Sequence, residues 1–303
     1  MTGARLWAFL MLAAANLLWS GNWVTGRALR DAFDPVALNF WRWAIAALIL
    51  APFALRGLIE HRSALRRDMG ILLLLAFTGV AVFQSLVYLG LRSTTAINAV
   101  LLNSSAPLFM LLCSWALERE RPTLRQVAGM LISLAGILVI LSRGELASLL
   151  QLEVRAGDAW ILLAMPVWGI YSVLLKRRPA QLSGLGFLFV IAAAGTAMLA
   201  PAYALQALHA PPRWPTPVEA LGVLYIALAA SVFAFTFWNR GVATVGANAA
   251  GFTLHLLPAF GTVLAILFLG ETFAAFHAAG IATIVVGVVL ATSRARALRE
   301  AIG

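Results

Sequence analysis

Apolar residues run along this chain in long blocks separated by short polar joints. Ten blocks fall at roughly residues 6–29, 35–56, 70–91, 96–117, 123–142, 157–177, 183–206, 216–240, 245–268 and 273–293. Each is close to the length of about 20 mostly apolar residues that a bilayer-spanning helix needs. The joints carry Pro, Gly, Arg and acidic residues. No block shows the apolar–polar alternation of a barrel strand, and helices satisfy their own backbone hydrogen bonds in lipid. The pattern predicts an all-α integral membrane protein of ten transmembrane helices with no soluble domain. The first block has a basic start and small residues, as a signal peptide does. Its apolar run continues through residues 21–29, too long for a signal core, so the reading is an uncleaved first helix.

Composition supports lipid as the solvent. The 303 residues are 62% hydrophobic and 11% charged, against about 25% charged in soluble proteins. The single cysteine, Cys113, allows no intrachain disulfide and no thiolate metal cluster. The net charge of +10 is unevenly placed. With both chain ends in the cytoplasm, inner joints collect fifteen Lys and Arg and outer joints six, with Arg42 inside a span. That bias follows the positive-inside rule. The basic charge therefore sets topology and meets lipid headgroups; nucleic acid is not an expected partner.

Two stretches share an unusual layout. A shift of 151 residues carries Pro107 onto Pro258, Glu120 onto Glu271, Gly129 onto Gly280, Gly136 onto Gly287, Ser142 onto Ser293 and Arg143 onto Arg294. Trp19 and Trp168 match at a shift of 149. The chain reads as a duplicated five-helix unit, 1–148 and 149–303. Because five is odd, the second copy enters the membrane from the opposite side. The result is an inverted 5+5 repeat around a central cavity, a design that recurs in secondary transporters.

These residues resemble the drug/metabolite transporter superfamily, EamA type. The half-repeats of that family end in a proline, glutamate and paired glycines like those above. The stretch from Asp34 to Trp43, with Arg42 early in the second helix, is also similar; the seventh helix has no arginine matching Arg42. The resemblance covers nearly the whole chain and is closest to the aromatic amino acid exporter branch. It implies ten helices with both ends cytoplasmic in a bacterial inner membrane. It also implies a cavity lined by helices one, three, four, six, eight and nine, and export of small metabolites, amino acids prominent among them.

Polar and ring residues at mid-span depth usually face a bundle interior or water. Helix one offers Asn16, Trp19, Asn22 and Trp23, and helix three Gln84 and Tyr88. Helix four offers Asn98, Asn103, Ser104 and Ser105, and helix six Trp168 and Tyr171. Helix eight offers Ser231, Phe235, Trp238 and Asn239, and helix nine Asn248, Thr253 and His255. The candidate substrate-binding set is Trp19, Asn22, Trp23, Gln84, Tyr88, Asn98, Asn103, Ser104, Ser105, Trp168, Tyr171, Phe235, Trp238, Asn248 and His255. Walls of rings, amides and hydroxyls suit a ligand with an apolar body and a few polar groups, and ring faces attract an ammonium. His255 reads either as a substrate or proton group or as a neutral histidine bonded to a helix carbonyl. Tryptophans and serines of the set read equally as helix packing. Glu120 and Glu271 read as caps or charge partners, Gly129–Ser133–Gly136 and Gly280–Thr283–Gly287 as close helix packing, and Trp7, Trp41, Trp43 and Trp160 as interfacial belts. Pro107, Pro166 and Pro258 remove backbone donors inside spans and are the candidate hinges.

All twelve acidic residues fall in joints or at span edges, so no carboxylate stands mid-membrane to carry a coupling cation. Lys176, the only lysine, follows no Gly-rich loop, so no P-loop exists. Paired carboxylates or metal ligands for a membrane enzyme are missing as well. The expectation is a cofactor-free, non-enzymatic exporter of amino acids, aromatic and other largely uncharged ones, and similar amphipathic metabolites. It works by alternating access, downhill or weakly proton-coupled, as a monomer or weak homodimer. A drug, lipid, sugar or vitamin carrier of the same fold is the alternative. One consequence is direct: cysteine labelling should find residue 2 and residue 301 accessible from the same side of the membrane.

Overall fold

A computed structural model describes residues 3–94, 96–151, 153–209, 213–269 and 274–293. Among the described residues, ten helices are long and apolar enough to span a bilayer: α1 (Gly3–Ala28), α2 (Pro35–Glu60), α3 (Met69–Ser93), α4 (Asn98–Glu118), α5 (Leu124–Leu141), α6 (Ala156–Arg177), α7 (Gly184–His209), α8 (Pro217–Val245), α9 (Ala247–Leu264) and α10 (Ala275–Thr292). Their starts are written in the chain. Asp34 accepts a hydrogen bond from the Val36 amide at 2.9 Å ahead of Pro35, the first residue of α2. Thr123 with Gln126, and Thr216 with Glu219, form capping boxes on α5 and α8. Large side chains such as Leu48 and Phe53 are about 70% exposed, which suits a surface facing lipid (73% and 70%).

The bundle core is built from α1, α2, α3, α6, α7 and α8, with α1 against α8, α2 against α7 and α3 against α6. α5 packs against α10 away from that core. A Cβ on Gly129 would lie 2.6 Å from the Gly287 carbonyl oxygen, and one on Gly136 2.7 Å from that of Gly280. The glycines therefore let two backbones approach, as their spacing predicts. Thr283 takes no part: its hydroxyl donates to its own helix at Ala279, and Ile284 fills the interface.

Four spans are irregular, in pairs. α3 widens to a π-helix over Phe77–Val82 and α8 over Ile226–Phe233. α4 breaks into two segments at Ser104–Ser105, and α9 tightens to a 3-10 turn over Thr253–His255. The shift of 151 superposes the widened turns and the breaks as well. Pro107 and Pro258 lie just past the breaks, where a residue without an amide donor fits the start of a new segment. Pro166 behaves differently. It lies inside a helix that runs unbroken from Ala156 to Leu174. Pro52 and Pro201, also inside continuous helices, match at the shift of 149 that relates Trp19 to Trp168.

One belt residue is placed otherwise than expected. Trp7, Trp41 and Trp160 are exposed near span ends, but Trp43 is fully buried, edge-on to Phe235 with ring centroids 4.8 Å apart. Proximity to a span end was the reason to read it as interfacial; its helical phase, shared with Asn39, Ala46 and Leu50, turns it inward.

Packing makes a testable difference between glycines. Gly287→Ala brings a methyl to 2.4 Å from the Ser133 amide nitrogen. It should lower stability by about 1–3 kcal/mol, read as an earlier thermal unfolding midpoint in detergent. Gly70→Ala meets nothing within 4 Å and should leave the midpoint unchanged.

Candidate functional site

Helical phase gathers four large rings at the middle of the bundle. Trp19 of α1, Trp168 of α6 and Trp238 of α8 stand with each pair of ring centroids 5.3 Å apart. Phe235 stands 5.7 Å from both Trp19 and Trp168. Tyr171 lies 5.2 Å from Trp168, and Phe83 4.7 Å. These separations are those of favourable edge and tilted ring pairs. The Trp19 indole donates to the Ala230 carbonyl at 3.0 Å, a group inside the widened turn of α8.

The rings border a small chamber of about 30 Å³, room for little more than one water. Its wall consists of Trp19, Asn22, Trp23, Phe83, Gln84, Val87, Asn103, Trp168, Phe235, Leu254 and Leu257. Of the candidate set, Trp19, Asn22, Trp23, Gln84, Asn103, Trp168 and Phe235 therefore share one wall. Trp238 and Tyr171 back it through ring contacts, and Tyr88 through a hydrogen bond to Asn22 Oδ1 at 3.1 Å. Trp168 Nε1 has no acceptor among the described residues.

Arg42, buried completely, lies behind this wall. Its Nε donates to Ser231 Oγ at 2.6 Å, Nη1 to Tyr88 Oη at 3.1 Å and Asn22 Oδ1 at 3.4 Å, and Nη2 to the Ala230 carbonyl at 3.1 Å. The guanidinium also lies 5.3 Å from the Trp43 ring centroid. One turn along α2, Asn39 Nδ2 donates to the Val80 and Ala81 carbonyls in the widened turn of α3. Both π segments thus offer carbonyls to side chains of α2, a way of satisfying groups that a regular helix keeps for itself. The candidate set omitted Arg42, although a lone charge inside an apolar span was the available signal.

A second space, about 530 Å³, opens on the face that carries the start of α1 and the end of α10. Ser172 and Val242, one helical turn beyond Trp168 and Trp238, lie on its inner wall. Between the two spaces the Tyr171 hydroxyl donates to Asn239 Oδ1 at 2.8 Å, tying α6 to α8. Asn248 lines this vestibule, donating to Ser114 Oγ at 3.1 Å and Glu120 Oε2 at 3.3 Å. Glu120 pairs with Lys176 at 3.6 Å, and Glu118 with Lys176 at 2.6 Å and Arg177 at 2.8 Å. Charge pairing is thus the reading that holds for Glu120; Glu271 lies outside the described residues.

On the opposite face a polar latch closes α3, α4 and α6 together. Asp158 accepts a short hydrogen bond from the Thr94 hydroxyl, one at 2.8 Å from Asn98 Nδ2 and one at 2.9 Å from the Arg155 amide. Arg27 of α1 donates to the Thr94 carbonyl at 2.9 Å. Asn98 therefore stands in the latch, away from the chamber wall.

The remaining candidates hold the helix breaks. His255 is buried, with Nε2 on the Ser104 carbonyl at 2.9 Å and Nδ1 in a short hydrogen bond with Ser133 Oγ. A carbonyl only accepts, so Nε2 carries a proton; the Ser133 hydroxyl also donates to the Gly129 and Met130 carbonyls of its own helix. The histidine thereby ties α9 to α4 and α5 at the helix breaks. Ser104 and Ser105 donate to Val100 and Leu102 of their own helix. None of the three faces the chamber. Side chains at a break cap freed carbonyls first, which sequence spacing does not reveal.

Similarity to known proteins agrees with this layout. The sequence profile of the EamA-like transporter family matches residues 6–142 and again 155–293. An uncharacterized transporter of Archaeoglobus fulgidus is 28% identical over 94% of this chain and 97% of its own length. A probable terminal-alkyne amino-acid exporter of Streptantibioticus cattleyicolor is 28% identical over 95% of this chain and 93% of its own. A solved crystal structure at 23% identity superposes over 96% of this chain and 97% of its own with a TM-score of 0.75, which shows the shared fold.

The latch makes its own prediction. Asp158→Ala removes a charged acceptor of three hydrogen bonds, and each such bond contributes roughly 1.5–3 kcal/mol. With Cys113 replaced by serine, a cysteine at Asn103 should then react about tenfold faster from the latch side.

Proposed function

The chain belongs to the EamA-like transporter family, and from that premise we propose that it exports amino acids, aromatic and other largely uncharged ones, and similar amphipathic metabolites. It is a multi-pass membrane protein, and its family and relatives are transporters, not enzymes. The proposed site of action is a bacterial inner membrane with both chain ends in the cytoplasm, where the inner-side bias of basic residues favours that orientation. The observation that carries the proposal is the ring-walled chamber set between an open vestibule and a latched far face. The amino-acid exporter among the relatives supports the same substrate class.

A substrate enters the vestibule past Glu118, Glu120 and Lys176 and meets the Tyr171–Asn239 bond. Parting that bond joins vestibule to chamber. The apolar body then lies against Trp19, Trp168 and Phe235, while Asn22, Gln84 and Asn103 meet its polar groups. Release to the far face requires the Thr94–Asp158–Asn98 latch to open. The breaks beside Pro107 and Pro258 are where α4 and α9 bend in that exchange, and residues 1–148 and 149–303 are the two inverted halves that rock against each other. Transport is downhill in this reading. His255 holds neighbouring helices with both ring nitrogens engaged by protein groups and does not line the chamber, which favours a structural role over proton coupling.

Counterflow in reconstituted vesicles, one amino acid at a time, tests the reading. Trp19→Ala and Trp168→Ala should each slow exchange by about tenfold, the scale of losing a favourable ring contact, with folded yield unchanged. Full exchange in both variants overturns the chamber assignment. Transport strictly dependent on an imposed proton gradient overturns the downhill mechanism.

A further inference from the structure

Among the described residues Arg42 is the only buried Lys or Arg. Its four hydrogen-bond partners, Ser231, Tyr88, Asn22 and the Ala230 carbonyl, are all neutral. None of the ion pairs among the described residues includes it. Neutral dipoles solvate a guanidinium but leave its full charge in a low-dielectric interior, where an anion is the group it attracts most strongly. Charges kept in a span pair with one another or with backbone carbonyls and mark substrate pathways; Arg42 has the Ala230 carbonyl and no charged partner among the described residues.

The chamber wall has matching chemistry. Trp168 Nε1 in that wall is an N–H donor without an acceptor among the described residues, and Gln84 reaches Tyr88, itself a partner of Arg42. Trp238 Nε1, against the Trp19 and Trp168 rings, is another unpartnered donor. Unspent indole donors close to a buried guanidinium suit a ligand that brings acceptor oxygens. Asn22 links wall and charge, since it lines the chamber and also accepts from Arg42 and Tyr88. Its contact with Arg42 is the longest of the four at 3.4 Å, beyond the usual N–H···O range of 2.7–3.2 Å. It is therefore the partner most easily exchanged.

We infer that Arg42, Asn22 and Tyr88 form an anion subsite at the edge of the chamber, which takes the carboxylate of the transported molecule. A carboxylate oxygen replaces Asn22 Oδ1 at Arg42 Nη1, and the Asn22 amide turns to donate to the same group. The apolar remainder stays against the Trp19, Trp168 and Phe235 rings. The inference rests on the amino-acid reading for the rest of the molecule, but it assigns recognition to the acid end. The selected class is monocarboxylates with an apolar body; amines of the same shape lacking the acid are refused.

Calorimetric binding to the full chain in lipid nanodiscs tests this, with phenylalanine, 3-phenylpropionate and 2-phenylethylamine, and with leucine, 4-methylpentanoate and 3-methylbutylamine. Amino acids and acids should bind, and amines should bind at least tenfold more weakly. Arg42→Lys should weaken the acids roughly tenfold, since it keeps charge and loses the fork. Asn22→Asp places a carboxylate beside Arg42 and should weaken acids and amino acids roughly 10- to 100-fold, the scale of a charged hydrogen bond, while the chain elutes as wild type does. It needs no loss of buried charge, so the inference stands or falls on it even where Arg42 variants do not fold. Amines binding as tightly as amino acids, or an Asn22→Asp chain that keeps its acid affinity, overturns the subsite and leaves the export reading standing. Acids bound and amino acids refused supports the subsite and overturns the export reading. Silence from all six compounds overturns both.

Discussion

The arrangement of the bundle turns on one positive charge in the membrane interior. Arg42 cannot lie in lipid, and no carboxylate among the described residues meets it, so the surrounding helices supply oxygens. A regular helix has no main-chain carbonyl to spare at mid-depth. The π segment of α8 does, and its Ala230 carbonyl accepts from both Arg42 and Trp19. That shared acceptor ties α1, α2 and α8 at a single point. The position of Trp19, and with it the ring cluster, follows from how the charge is solvated.

Other irregularities serve the same end. The widened turn of α3 accepts from Asn39, and the breaks in α4 and α9 are held by His255 and its serine partners. Each departure from regular helix frees backbone groups, and each is matched by a polar side chain from a neighbouring span. Polar residues in this protein therefore do two separate jobs. Some solvate irregular backbone and are occupied; others face the chamber with donors unspent. Trp168 belongs to the second group, His255 and Asn39 to the first.

Much of this was legible from residue order. Span positions follow from apolar length, because lipid thickness sets the helix. Trp19, Trp168, Phe235 and Trp238 meet because three- and four-residue spacing puts them on inward stripes of their helices. What composition could not separate was the two jobs of polar residues. Ser104 and His255 look like chamber groups on a list of mid-span polar positions, but they sit where the helices break, and π or 3-10 turns carry no clear residue signature. Asn98 and Asn248 face inward at span ends, where they join the latch and the vestibule and not the chamber wall. Arg42 was seen and left without a role, because its meaning depends on helix pairs that meet only after folding.

The glycine seam between α5 and α10 has a mechanical consequence. These are the closing spans of the two segments that match the family profile, and their backbones nearly touch at Gly129, Gly136, Gly280 and Gly287. A seam that tight, set apart from the ring cluster, is poorly suited to sliding. Because each glycine faces the backbone of the other helix, a single added methyl would push both main chains apart at once, and the seam leaves no slack in which to absorb it.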